Sequence, residues 1–192
     1  MRPSRAEARC RPYAGAVRIR RAGPGDDAAI DDVEGTAFGA RGDVVVSLVH
    51  ELRRTGAARA ELVADDAGRL AGHVLLSRGW IDAAPRLVEV LVLSPLAVAP
   101  AAQRRGVGGA LVAAALATAA ARSAPAVFLE GDPAYYARFG FAAARPLGFL
   151  PPSERIPDAG FQVHLLDGHE PWMTGPLVYP DAFWTMDCVG LR

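Results

Sequence analysis

The chain has 192 residues, 51% of them hydrophobic, and its 21 basic and 21 acidic residues give a formal net charge of zero. This length is sufficient for one domain with a well-buried core, and a neutral chain indicates neither a nucleic-acid partner nor a membrane surface. No window approaches the ~20 consecutive apolar residues that a membrane-spanning helix needs.

The first sixteen residues, MRPSRAEARCRPYAGA, are rich in arginine and lack the apolar segment of a signal peptide. We expect residues 1–16 to be a disordered tail or the result of a start codon assigned too early. Cys10 and Cys188 stand near opposite ends of the chain, and two cysteines make no disulfide framework. They indicate a reducing, cytoplasmic location. The alternative, a thiol nucleophile, lacks the glycine-rich or helix-start context that would activate it.

The pattern of apolar residues predicts the order strand, two helices, three strands, helix, strand, short helix and further strands. The first helix starts near Asp26, and the second covers residues 44–54. A turn at residues 66–68 (DAG) joins the second and third strands in a hairpin. Pro95 interrupts the long fourth strand and requires a bulge or an unpaired edge there. We therefore predict a single α/β domain.

A glycine-rich loop, QRRGVG at residues 103–108, separates the fourth strand from an alanine-rich helix. Glycines allow a large anion to approach the backbone N–H groups closely. Residues 109–122 (GALVAAALATAAAR) are nearly all strong helix formers, and a helix start directs unpaired N–H groups and positive dipole charge at one point. The loop therefore predicts an anion site, most naturally for phosphate.

Two common phosphate-binding motifs do not fit this loop. A P-loop needs GxxxxGK[ST], and the chain contains no lysine, since all 21 basic residues are arginine. A dinucleotide-binding fold needs GxGxxG after the first strand of a parallel sheet, whereas this loop follows the fourth predicted strand. The pattern Gln/Arg-x-x-Gly-x-Gly/Ala instead resembles the acyl-coenzyme A loop of the GNAT superfamily of N-acetyltransferases.

A second motif, LEGDPAYYARFGF at residues 129–141, strengthens the resemblance. It is similar to the family pattern aromatic-Tyr-x-x-x-Gly-Phe, and it puts Tyr136 where the family's usual general-acid tyrosine stands. With SPLAVAP before the loop and YPDAF at residues 179–183, the chain looks most like the YhbS-type branch of the superfamily. The resemblance covers about residues 17–185.

The resemblance implies a fold as well as a site. We expect an α/β (α+β) fold whose mixed, mostly antiparallel central sheet has about six to seven strands, flanked by about four helices. A V-shaped splay is expected between strands 4 and 5. Residues 17–192 would then form one acyltransferase domain that includes a C-terminal extension from about residue 150.

Acetyl-CoA is the cosubstrate that the resemblance implies, and Tyr136 is expected to contact it. Main-chain groups of the splayed strand would pair with the pantetheine arm like an added strand, at Leu96, Ala97 and Val98. The pyrophosphate is expected on the loop residues Gln103, Arg104, Arg105, Gly106, Val107, Gly108 and Gly109. Gln103 would orient the loop. The two arginine side chains either add charge to the site or form a solvated helix start.

The implied reaction is direct attack of a primary amine, from a small molecule or a peptide, on the acetyl thioester. Tyr136 is the candidate acid that protonates the leaving sulfur, and the alternative is an aromatic that only packs at the mouth of the site. Many relatives carry a glutamate on the fourth strand where this chain reads VLS at residues 92–94. Glu130 and Glu89 remain as candidate bases, beside water-mediated deprotonation. The competing function is an acyl-CoA-binding sensor or regulatory module without turnover.

The acceptor side carries no motif. The four histidines lack metal-ligand spacing, so we predict no metal, and His73 is expected to be a hydrogen-bonded histidine within the sheet. A solvated helix face is expected from Asp26, Asp27, Asp31, Asp32 and Glu34. Four aromatic side chains are expected either to line an acceptor pocket or to cover the edge of the core: Trp172, Tyr179, Phe183 and Trp184. No nucleic acid or membrane partner is expected, and a homodimer is left open.

Overall fold

The structure, a computed structural model, describes residues 17–190. The tail expected at residues 1–16, with Cys10, lies outside the described residues. Between residues 17 and 190, no helix is long and apolar enough to cross a membrane.

Strands and helices follow one another in the predicted order, with additional elements towards the C-terminus. The strands are β1 (Arg18–Arg21), β2 (Ala58–Asp66), β3 (Arg69–Ala83), β4 (Arg86–Val98), β5 (Ala126–Glu130), β6 (Ala142–Ala143), β7 (Phe149–Leu150), β8 (Phe161–Leu165) and β9 (Gly175–Val178). The helices are α1 (Asp27–Phe38), α2 (Gly42–Arg54), α3 (Val107–Ala121), α4 (Pro133–Tyr136) and α5 (Asp181–Thr185). Only α1, α2 and α3 exceed two turns.

The strands form one mixed sheet in the order β1-β2-β3-β4-β5-β8-β6, and β9 joins it by pairing with β3 and with the short β7. Neighbouring strands are antiparallel except for the pairs β4–β5 and β7–β9, which are parallel. The expected mostly antiparallel sheet is confirmed. Because β4 and β5 are parallel, the chain must return to the same end of the sheet between them, and α3 forms this long crossover.

The sheet opens between β4 and β5. These two strands pair only at Leu91 with Val127 and Val92 with Phe128 in the described chain, although β4 continues to Val98. On its other side β4 stays paired with β3, and the register shifts where two steps along β3 oppose three along β4, around Pro95. The bulge predicted at Pro95 is therefore confirmed, and the splay between strands 4 and 5 is present.

Helices cover both faces of the sheet. One face is covered by α1 and α2, whose buried side chains include Ile30, Val33 and Leu52. The other face is covered by α3 through Leu111, Val112 and two alanines. Small residues permit this close approach: a Cβ on Gly72 of β3 would lie 2.9 Å from Leu111 Cδ1.

The C-terminal region is more regular than the sequence indicates. Residues 167–184 (DGHEPWMTGPLVYPDAFW) look loop-like in the sequence, but they contain β9 and α5. β9 is held by Trp80 and Ile81 of β3, about a hundred residues earlier, which no local pattern reveals. Because β8 also pairs with β5, the chain beyond residue 150 belongs to the same sheet.

Candidate active site

The glycine-rich loop leads directly into α3, as the sequence predicts. Gly106 precedes the helix at φ +85°, in the left-handed region that glycine adopts without strain, and Arg104 also has a positive φ of 58°. The N–H of Ala110 donates to the carbonyl of Gly106, so the N–H groups before it have no partner within the helix. The first turn of α3 carries no acidic side chain. The helix start is thus suited to an anion.

The splayed end of β4 offers main-chain groups on the open side. Ala99 donates its N–H to Ala71 on the β3 side, and bonded pairs alternate along an antiparallel ladder. By this alternation Ala97 directs its N–H and C=O to His73 of β3, whereas Leu96 and Val98 direct theirs into the splay. Gln103 ties the loop to this strand, because its Nε2 donates to the Val98 carbonyl at 3.2 Å.

A cleft of about 480 Å³ joins the strand and the loop. Leu96 and Val98 line it from the strand, and Gln103, Arg104, Gly106, Gly108 and Gly109 line it from the loop. The other predicted cofactor residues lie elsewhere: the side chains of Ala97 and Val107 are 1% and 4% exposed and pack in the core. Arg105 is exposed and is not among the residues that line the cleft.

The second motif also lines this cleft, through two residues that were not predicted to bind the cofactor. Tyr135 packs against the core and also lines the cleft, and it approaches Gly108 so closely that a Cβ there would lie 2.6 Å from its hydroxyl. The Arg138 guanidinium stacks on the Tyr135 ring, 4.3 Å from its centroid, and also lines the cleft. The sequence signal was present, since both belong to the aromatic motif.

Tyr136 faces the other end of the splay. Its ring packs edge-on against Tyr135 and Phe141, at centroid distances of 4.9 and 5.7 Å. Gly131 makes room for it, because a Cβ on Gly131 would lie 2.3 Å from Tyr136 Cε2. Burial, with a smaller effect of the neighbouring Tyr135, raises the pKa of Tyr136 to about 12. The hydroxyl therefore stays protonated at neutral pH and is available as a proton donor.

Glu130, at the end of β5, is held by two donors from the C-terminal region. The Tyr179 hydroxyl donates to Oε1 at 3.1 Å, and the Gly190 N–H donates to Oε2 at 3.0 Å. Burial raises the pKa of the Glu130 carboxyl, and the two hydrogen bonds oppose this effect. A carboxylate of raised pKa that keeps one free lone pair on each oxygen is suited to accept a proton.

Glu130 and Tyr136 share a chamber of about 210 Å³ at the base of the splay. Its other walls are Phe38 at the end of α1, residues 93–96 at the bulge of β4, and the C-terminal side chains Tyr179, Phe183 and Cys188. Phe38 and Leu96 line both this chamber and the cofactor-sized cleft, so the two spaces meet there. An acyl group at the end of the cleft would thus face the carboxylate and the phenol.

Known proteins resemble this chain in both sequence and fold. Residues 57–143 match the family model described as an acetyltransferase (GNAT) domain. The chain is 34% identical to the uncharacterized N-acetyltransferase YhbS of Escherichia coli (strain K12) over 145 residues, 73% of this chain and 84% of YhbS. The protein belongs to the GNAT acetyltransferase family. It is also 32% identical to the uncharacterized N-acetyltransferase YjhQ of that strain over 118 residues, 60% of this chain and 64% of YjhQ.

Two solved structures of GNAT proteins share the fold. YhbS from Escherichia coli in complex with CoA gives a TM-score of 0.77 at 30% identity, covering 87% of this chain and 91% of that one. A GNAT family acetyltransferase from Brucella melitensis in complex with acetyl-CoA gives a TM-score of 0.71 at 30% identity, covering 88% of this chain and 98% of that one. The predicted family, mixed fold and enzyme class are confirmed.

Behind the cleft of this GNAT domain lies a buried charged cluster that the sequence did not reveal. Glu34, expected on a solvated helix face, is fully buried, and its Oε1 lies 2.6 Å from Nδ1 of the equally buried His73. The other ring nitrogen of His73 lies 3.5 Å from Glu61, a contact longer than a regular hydrogen bond. Glu61 in turn accepts a 2.6 Å hydrogen bond from Arg53. The prediction that Glu34 lies on a solvated helix face is therefore wrong, whereas the prediction that His73 is a hydrogen-bonded histidine within the sheet is confirmed.

The cluster is held together by opposite charges. Burial lowers the pKa of His73, but its contacts with Glu34 and Glu61 outweigh burial and raise it. Burial raises the pKa of Glu34, and the hydrogen bond with His73 opposes this. Glu61 is half-buried, which raises its pKa, but the contacts with His73 and Arg53 outweigh this effect and lower the pKa to about 2. The cluster ties α1 to β2 and β3, and α1 ends at Phe38, where the two cavities meet.

The remaining candidates lie away from the chamber. Glu89 accepts a hydrogen bond from Arg59 at 3.0 Å and lines a separate depression with Arg122, so it does not meet Tyr136. Trp172 packs against the core and under Arg86, and Trp184 is 42% exposed. Among residues 17–190, no group of three or more histidine, cysteine, aspartate or glutamate side chains is placed to hold a metal ion.

Proposed function

We propose that the protein transfers the acetyl group of acetyl-CoA to a primary amine by direct attack. The amine nitrogen bonds to the thioester carbonyl carbon, the C–S bond breaks, one proton leaves the nitrogen and one is taken up by the departing sulfur. The acceptor is a small-molecule or peptide amine. A cytoplasmic location, expected from the cysteines, belongs to the same proposal.

The cofactor part of the proposal rests on the cleft. The N–H groups at the start of α3 would bind the pyrophosphate, with Arg104 and Arg138 adding positive charge beside them. The outward-facing groups of Leu96 and Val98 would pair with the amides of the pantetheine arm. YhbS with CoA and the Brucella melitensis protein with acetyl-CoA support the same ligand for this chain.

The chemical part rests on the two groups at the chamber. Tyr136, protonated at neutral pH, would give its proton to the leaving thiolate. Glu130, with its raised pKa, would accept the amine proton directly or through one water. The observation that carries the proposal is that the chamber with Glu130 and Tyr136 meets, at Phe38 and Leu96, the cleft that the glycine-rich loop lines.

The alternative is a CoA-binding sensor without turnover. It is favoured by residues 92–94 of β4, where the family resemblance implies a glutamate and this chain carries valine, leucine and serine. Glu130 would have to take that role from β5. The two functions predict the same binding of acetyl-CoA and differ only in turnover.

Isothermal titration calorimetry with acetyl-CoA tests the cofactor, with ATP and NAD as controls. We expect micromolar binding of acetyl-CoA alone, about −8 kcal/mol. Thiol release in the presence of amines then separates the enzyme from the sensor. In an enzyme, Tyr136→Phe lowers kcat by roughly 10²–10⁴-fold at nearly unchanged affinity for acetyl-CoA. Binding without thiol release from any amine supports the sensor, and no binding by folded protein contradicts both.

A further inference from the structure

The chemistry of the chamber indicates which acceptor it takes. Its walls combine the apolar side chains of Phe38, Leu93, Pro95, Leu96 and Phe183 with uncharged polar ones, Ser94, Tyr136, Tyr179 and Cys188. Within residues 17–190, Glu130 is the one charged side chain that lines it. A bound molecule therefore meets one negative charge and no positive one. It can carry one cationic group against that charge, and any second charge would be buried without a partner.

The carboxylate of Glu130 is fixed in place for such a contact. Tyr179, 5% exposed, bonds one oxygen, and the N–H of Gly190 bonds the other. Each oxygen accepts up to two hydrogen bonds, so each retains one acceptor site. A primary ammonium group has three N–H donors and one charge, which matches this arrangement.

The size of the chamber limits the rest of the acceptor. About 210 Å³ is smaller than the ~300–1,000 Å³ of sites for drug-sized ligands. An adjoining cavity of about 160 Å³ shares Phe38, Ser94, Pro95 and Cys188 and adds Val45 and Leu48, which are apolar. Arg41 also lines this second cavity, where one of its N–H groups donates to the Asp187 carbonyl, but it does not line the chamber of Glu130. The space favours a compact body whose carbon part packs on these apolar side chains.

We propose, on the basis of the function proposed above, that the acceptor is a primary amine on a compact apolar body, such as an arylalkylamine or a branched alkylamine, whose ammonium group binds Glu130. Tyr179 is a positioning residue that acts through Glu130. Polyamines are disfavoured because their further ammonium groups find no partner in the chamber. Free amino acids are disfavoured because their carboxylate, on the carbon next to the amine, would lie beside Glu130 in a chamber that no described cationic side chain lines.

The test is calorimetric titration of the CoA-bound protein with phenethylamine, free phenylalanine and spermidine. Phenethylamine and phenylalanine differ only by a carboxylate. We expect phenethylamine to bind at least tenfold more tightly than the other two. Glu130→Gln should weaken phenethylamine binding by at least tenfold, and Tyr179→Phe should weaken it several-fold. Neither substitution should change acetyl-CoA binding. Glu89→Gln is the matched control, because that carboxylate is on β4 but outside the chamber.

The outcomes separate this inference from the proposed function. Equal or tighter binding of phenylalanine or spermidine, or no effect of Glu130→Gln, overturns the inference and leaves acetyl transfer standing. No binding of any of the three amines by protein that binds CoA also overturns it. Phenethylamine that binds through Glu130 but releases no thiol from acetyl-CoA supports the binding site and contradicts the transfer reaction.

Discussion

Gly131→Ala tests whether the position of the Tyr136 hydroxyl matters for turnover. Gly131 does not have a positive φ, so alanine fits its backbone without strain. Its N–H bonds the Gly160 carbonyl at 3.0 Å and its carbonyl accepts from Gln162 at 3.0 Å, which holds the backbone in place. The new Cβ would lie 2.3 Å from Tyr136 Cε2, whereas ordinary contacts begin at 3.4 Å. The tyrosine ring must therefore move by about 1 Å, the difference between these two distances.

A displacement of about 1 Å at a reacting group can lower the rate by about 10²-fold, or ~2.7 kcal/mol. We expect Gly131→Ala to lower kcat for thiol release by about that factor, while calorimetry shows unchanged affinity for acetyl-CoA. Gly25→Ala is the control, because nothing lies within 4 Å of a Cβ there and the residue is remote from the chamber.

The double substitution provides the decisive comparison. In the Tyr136→Phe background the hydroxyl is already absent, so adding Gly131→Ala should reduce kcat by no more than about threefold, since residues that act as a unit are not additive. The reasoning is refuted if Gly131→Ala alone retains kcat within threefold, or if it lowers kcat about 10²-fold in both backgrounds.

Three further changes probe the loop, the buried cluster and the base. Gly108→Ala places a Cβ 2.6 Å from the Tyr135 hydroxyl, and calorimetry should show acetyl-CoA binding weakened by at least tenfold. Unchanged affinity would mean that Gly108 and Tyr135 do not form a wall of the acetyl-CoA site. Glu34→Gln breaks a buried ionic pair and should reduce the free energy of unfolding by about 3 kcal/mol. Because the pKa of His73 is raised, the ionic contribution is complete below its unfolded value of ~6.5 while Glu34, whose own pKa is raised by burial, stays ionised. It disappears as pH rises through the folded pKa of His73, so urea unfolding should show a smaller loss at high pH. Because burial raises the pKa of Glu130, kcat/KM should fall as pH decreases through that pKa, at a higher pH than an ordinary glutamate gives, and a profile flat down to about pH 4 contradicts a Glu130 base.

The parts of the site that the sequence predicted are those built from neighbouring residues. Gly106 supplies a left-handed turn before an alanine-rich helix, and both signals lie within twenty residues. The bulge at Pro95 follows from a missing N–H and also needs no distant partner. Local chemistry of this kind is visible in the order of residues.

The parts that were missed depend on contacts between distant residues. β9 forms because β3 offers an edge at Trp80 and Ile81, and a four-residue strand has no periodicity to detect. Glu34 is different, since a signal was available. It follows the buried Ile30 by four residues, which puts both on one face of α1. A carboxylate on that face requires a buried partner, and His73 on β3 was the available candidate.

The buried Glu34 and the half-buried Glu130 have opposite roles because their partners differ. Glu34 contacts a histidine that also meets Glu61, and it is fully enclosed, so a proton it exchanges has no route to a substrate. Glu130 contacts only neutral donors, the Tyr179 hydroxyl and the Gly190 N–H, and it opens into the chamber beside Tyr136. A neutral donor fixes a carboxylate without neutralising it, so its charge remains available for an ammonium group. The proposed base is therefore Glu130 on β5, and Tyr179 and Gly190 of the C-terminal segment hold it in place.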